Sequence, residues 1–233
     1  MDTHLHHEEH LTSSDWIREV VIGMSDGLTV PFALAAGLSG AVDSTGIIVI
    51  AGIAEIAAGS IAMGLGGYLA GKTEQDHYNT ELKREYYEVE HMHDREIAET
   101  KEFFSGLGLS EAVQDRATEE IAKDKDKWVS FMMKYELGLE QPDPKRATKS
   151  ALNIGISYVV GGLVPLSPYF FVDSPLTGLK FSVVVTLICL FIFGWFKSKI
   201  TGVAPFAGAL RVTLIGAMAA AAAFLVAKLF EGS

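Results

Sequence analysis

The sequence has a single cysteine, Cys189, and it lies inside an apolar run, which excludes an intramolecular disulfide and a cysteine-rich zinc site. Any metal the chain holds is therefore held by oxygen, nitrogen or thioether sulfur. Bases are also scarce: 19 Lys and Arg stand against 29 Asp and Glu, a formal charge of -10, and no nucleic-acid partner is expected. Proline is missing from the whole stretch between Pro31 and Pro142, so no proline there forces a helix to end. The opening MDTHLHHEEH lacks a basic segment followed by an apolar core. The first apolar helix, rather than a cleaved leader, is expected to direct the chain to a membrane.

What the chain does have is apolar sequence, 49% of its residues, and a positive mean hydropathy despite its charge. Apolar and acidic residues must therefore be segregated. Crossing ~30 Å of hydrocarbon takes about 20 apolar residues in a helix, because lipid offers the backbone no other partners. Five segments meet that condition: Val20 to Val42, Gly46 to Ala70, Ala151 to Val172, Leu176 to Phe196, and Val212 to Ala227 with a backward extension through Ala204 to Leu210. Lys72, Lys145, Arg146, Lys149, Lys197 and Lys199 fall on one side of five threaded spans. The positive-inside rule then makes the N-terminus and residues 73–141 cytosolic and sends the C-terminus across the membrane.

Residues 72–146 hold 19 of the 29 acids and 12 of the 19 bases, so most of the net charge sits between spans two and three. The pattern predicts a cytosolic three-helix domain over 73–141. Span two is expected to continue as one helix until Gly106 and Gly108 break it. A second helix, capped by Ser110, runs to about Lys123, and a third, capped by Asp124 or Asp126, ends at Gly138. The flanking parts are a tail (1–15), spans one and two (16–72) and spans three to five (142–233), an all-α polytopic membrane architecture.

On one straight helix, Glu85, Glu88, Glu96 and Glu99 would project at about 0°, 300°, 20° and 320°, close to one face. Like charges at helical spacing repel, so an acidic stripe is unfavourable unless water or cations neutralise it. With a ~1.5 Å rise, Glu85 and Glu99 would lie about 21 Å apart, too far for one ion, which predicts at least two sites. On the third helix Met132, Met133 and Glu136 share an arc of about 100°, and thioether beside carboxylate favours transition ions over Mg2+ or Ca2+. Within the membrane, Asp26 in span one and Glu55 in span two are costly unless they face water, protein or a cation. Either suits exchange of a cation for a proton, and Met63, two turns beyond Glu55, could add a thioether. Gly23 and Gly27 form a GxxxG pair, as do Gly67 and Gly71, which points to close helix approach and to a homodimer with span one at its interface.

Five long segments carry a family resemblance: WIREVVIGMSDGLTVPFALAAGLSGA, GIAEIAAGSIAMGLGGYLAGKTEQDHY, LKREYYEVEHMHDREIAE, MMKYELGLE and PDPKRATKSALNIGISYVVGGLVPL. With these the chain resembles the plant-type vacuolar iron transporter family over nearly its whole length. The resemblance implies a dimer of five-helix protomers in the vacuolar membrane that exchanges cytosolic Fe2+ for luminal protons. It implies metal binding by glutamates matching Glu85, Glu88, Glu96, Glu99 and Glu136 with methionines matching Met132 and Met133, and a membrane pathway through residues matching Asp26, Glu55 and Met63. No prosthetic group is implied. The donor set also suits Mn2+, Co2+, Ni2+ and Zn2+. His4, His6, His7 and His10 lie outside the resemblance and could at most bind metal loosely.

Two other classes compete. A di-iron carboxylate enzyme needs two Glu-x-x-His motifs on separate helices plus two further glutamates, and the chain offers one, Glu88 to His91, so no enzymatic activity is expected. A metal sensor or storage protein with a membrane anchor would explain the acidic insert, but not five spans and two intramembrane acids.

Overall fold

The computed structural model describes residues 14–231, so the four N-terminal histidines lie outside the described residues. Those residues are helical, with no strand among them. The order is α1 (Ser14–Ser39), α2 (Thr45–His91), α3 (His93–Gly106), α4 (Glu111–Ala122), α5 (Lys125–Phe131), a π-helical turn (Met132–Glu136), α6 (Arg146–Leu166), a 3-10 turn (Ser167–Phe170), α7 (Pro175–Ile200) and α8 (Pro205–Glu231). Five helices, α1, α2, α6, α7 and α8, are long and apolar enough to cross a membrane. The fifth begins at Pro205, so the apolar stretch before Val212 belongs to it.

Two compact units divide the chain: residues 1–68 with 148–233, and the insert Leu69–Ala147. In the first, α1 packs against α7 and α8. Its core includes Phe32, Ala35, Ala36, Ile48, Ile56, Leu166, Tyr169 and Ala220. The outside is apolar as well: Ile50, Ile61 and Met218 each expose about 70% of their surface. In water such an exterior would aggregate, whereas hydrocarbon solvates it. Buried hydroxyls find partners inside: Ser39 Oγ lies 2.8 Å from Tyr169 Oη, and Ser182 Oγ donates to the Pro165 carbonyl.

The Gly23 and Gly27 pair meets a neighbour within the protomer. A Cβ at Gly23 would stand 2.3 Å from the Ile154 carbonyl oxygen, and one at Gly27 2.3 Å from that of Tyr158. Both glycines are consumed by the crossing of α1 and α6 within the protomer. Small residues permit a close helix neighbour without specifying which, so this pair gives no support to a dimer through span one.

The insert also departs from the predicted three helices. The long helix does not run to Gly106: α2 ends at His91, and Met92 (φ -124°, ψ 33°) separates it from α3. Neither proline nor glycine marks that break. Asp94 and Glu96 in the first turn of α3 favour a helix start there, where backbone N–H groups present positive charge. Further along, Gly108 and Gly138 take positive φ at the ends of their helices. Ser110 holds the N-cap position of α4, and Asp124 caps α5 by accepting from the Lys127 N–H. The insert's core gathers Val89, Trp128, Val129, Met132 and Met133.

Candidate metal cluster and intramembrane acids

The break at Met92 determines what the acidic stripe can do. On a straight helix, Glu85 and Glu96 would be separated by about 16 Å of rise. In the structure each of Glu85, Glu96 and Glu136 has a carboxylate oxygen within 4.8 Å of those of the other two. Glu85 comes from the end of α2, Glu96 from the first turns of α3, and Glu136 from the π-helical turn. Among the described residues, Glu85, Glu96 and Glu136 thus form a three-carboxylate cluster in place of the straight rod on which Glu85 and Glu96 would stand apart. Such turns carry one extra residue per loop of helix and are frequent at functional sites.

Glu85 and Glu96 are almost completely buried, whereas Glu136 is exposed. Glu85 Oε1 and both Glu96 carboxylate oxygens are buried without a hydrogen-bond partner. Burial pushes the Glu85 carboxyl up to about 8, helped by the charges of Glu96 and Glu136. Burial likewise pushes Glu96 up to about 7, with Glu99 and Glu88 adding to it. Glu136 is raised for the same two kinds of reason. Buried carboxylates that repel one another and lack donors must be protonated or must share a cation.

Glu88 and Glu99 flank the trio without joining it. Glu88 lies 3.8 Å from the Arg84 guanidinium, and Glu99 accepts from Arg95 Nε at 2.8 Å. Met132 and Met133 are buried in the apolar core. Beside Met132, the Thr100 hydroxyl accepts the Trp128 indole N–H at 2.9 Å and lies 2.8 Å from the Glu96 carbonyl and 3.4 Å from Met132 Sδ. With one hydroxyl proton, Thr100 can donate to only one of these two acceptors at a time.

In the membrane unit, Asp26, Glu55 and Met63 are each half-buried. Glu55 Oε1 accepts from the Tyr158 hydroxyl, and Glu55 Oε2 is buried without a partner. Pro31 lacks the N–H that would bond the Gly27 carbonyl, so a backbone oxygen is released from the helix one residue after Asp26. Sequence reasoning missed Glu19, which is buried and accepts from Asn153 Nδ2 at 2.7 Å. The apolar run begins at Val20, but the helix begins at Ser14, so Glu19 lies inside it. The available signal was its spacing of seven residues from Asp26, about 20° from the same helix face.

A family model described as the VIT family matches residues 17–228. The chain is 52% identical to "Vacuolar iron transporter 1" of Tulipa gesneriana, across 96% of this chain and 90% of the relative. It is 49% identical to the Arabidopsis thaliana protein of the same name, across 97% and 90%. With "Protein CCC1" of Saccharomyces cerevisiae the identity is 39%, across 91% of this chain and 68% of the relative.

Proposed function

The chain belongs to the VIT family, and from that premise we propose that it carries ferrous iron from the cytosol into the vacuole in exchange for protons. The observation that carries this reading is the three-carboxylate cluster with its buried, unpartnered oxygens. Names of relatives at about half identity supply the ion and the compartment.

In this reading the insert 73–141 is cytosolic and collects Fe2+. The ion displaces the protons held by Glu85 and Glu96 and completes the coordination their oxygens lack, and Glu136 is the exposed entry ligand. Glu88 and Glu99 keep the surrounding field negative, and Met132 and Met133 lend thioether character that favours transition ions over Mg2+ and Ca2+. Mn2+, Co2+, Ni2+ and Zn2+ suit the same donors. Transfer across the bundle uses Asp26, Glu55 and Met63, with luminal protons returning the acids to their neutral forms. The C-terminus is luminal, and a homodimer rests on the family resemblance alone. The alternative is a membrane-anchored metal sensor or store, favoured by the cluster's lying wholly in the insert.

Reconstitution in liposomes with an acidic lumen tests the reading. Fe2+ entry and luminal alkalinisation are recorded together for wild type, Asp26→Ala and Glu96→Ala. Coupled uptake that Asp26→Ala abolishes and Glu96→Ala only weakens is the expected result. Retained metal binding with no flux in wild type would favour the sensor or store.

A further inference from the structure

Resting on the transporter reading above, we propose that Tyr158 is a positioning residue of the ion path, whose hydroxyl holds Glu55 Oε1 so that Oε2 is the oxygen offered to the passing cation. Tyr158 is 2% exposed, on α6, and its hydroxyl donates to Glu55 Oε1 across to α2. Glu55 Oε2 is buried and has no partner. A carboxylate whose two oxygens are this unequal has one orientation in which a cation can complete it.

The surrounding backbone is shaped to keep the phenol there. A Cβ at Gly59, one turn beyond Glu55 on α2, would stand 2.5 Å from the Tyr158 hydroxyl and 2.6 Å from the ring carbon that bears it. On the other side Gly27 lets α1 approach the Tyr158 backbone, so α1 and α2 both yield space to this one residue. Asp26 is the residue before Gly27, the glycine against which the Tyr158 backbone packs. Tyr158 thus touches Glu55 directly through its hydroxyl, while its backbone is approached by α1 at the glycine next to Asp26.

Packing alone would explain the ring and the two glycines. It would not require the hydroxyl, which is buried at a carboxylate in a region where a phenylalanine would avoid the cost of desolvating a polar group. The two roles therefore separate at one atom.

The experiment compares Fe2+ uptake into acidic-lumen liposomes by wild type, Tyr158→Phe, Glu55→Gln and the double variant, with melting temperatures in detergent measured in parallel. Tyr158→Phe should keep the wild-type melting temperature within a few degrees, lower transport efficiency about tenfold, as expected for loss of a hydrogen bond to a charged group, and add nothing further in the Glu55→Gln background. Gly59→Ala, which drives a methyl into the hydroxyl's place, should reproduce that loss and that lack of additivity. It decides the matter if the phenylalanine variant does not fold. Wild-type kinetics in Tyr158→Phe, or an equal loss with and without the Glu55 carboxylate, overturns the inference and leaves the transporter reading intact. Absence of uptake by wild type overturns that reading and the inference with it.

Discussion

Glu85 and Glu96, eleven residues apart and on two different helices, hold carboxylate oxygens within 4.8 Å of each other in an almost solvent-free setting. Neither could reach the other without the break at Met92. In the absence of a cation this pair is a source of repulsion, which gives opposite expectations for binding and for stability.

Glu85→Gln or Glu96→Gln should weaken divalent binding by the full-length protein tenfold or more, read by calorimetry with Co2+ as an air-stable probe. At pH 8.5, where both carboxyls are ionised, the same change should raise the melting temperature of the metal-free protein, because a neutral amide replaces a buried charge. Weaker binding with an unchanged or lower melting temperature would mean that the carboxylates are not in conflict.

The pH dependence has a definite sign. The carboxyls of Glu85 and Glu96 are held up to about 8 and about 7, above the value near 4.5 of a free glutamate. Their contribution to stability is fully present below about pH 4.5 and is lost as pH rises through 7 and 8. The metal-free protein should therefore melt at a lower temperature at pH 8.5 than at pH 6. Co2+ should protect more at the higher pH, and its binding should release protons at pH 6 but few at pH 8.5. Equal protection at both values would argue that the cation binds elsewhere.

Thr100→Val should destabilise the insert by about 1–3 kcal/mol, since it removes the acceptor of the buried Trp128 indole N–H. Thr100→Ser should retain most of the stability. Local loss would be seen as faster hydrogen exchange in α3 and α5.

Gly23→Leu tests where the first span makes its close contact. Because α6 fills the space above Gly23, this variant should fail to yield a stably folded protomer. A folded monomer in place of a dimer on size-exclusion chromatography would instead locate Gly23 at an interface between copies.

The five spans were legible because each is a long apolar run and lipid permits no other backbone solution. Helix ends were legible where a residue enforces them, as at Gly138 and Asp124. The break at Met92 was not, because its cause is distributed: two acids in the turn that follows and the packing of Val89 and Trp128 beneath it. The trio's membership was visible as candidate residues, but its assembly was not, since straight-helix arithmetic separated Glu85 from its partners. Glu19 was hidden because the helix starts at Ser14, ahead of the apolar run that marks it, and the role of Gly23 because its motif does not name its neighbour.

The π-helical turn Met132–Glu136 ties the cluster to counting rather than chemistry. A turn of this kind is a helix with one residue too many. A chain shortened by one residue between Phe131 and Leu137 could keep every candidate ligand and relax into a more regular helix, but Glu136 would swing about 100° around the axis. The length of this short segment decides where Glu136 points as much as its sequence does.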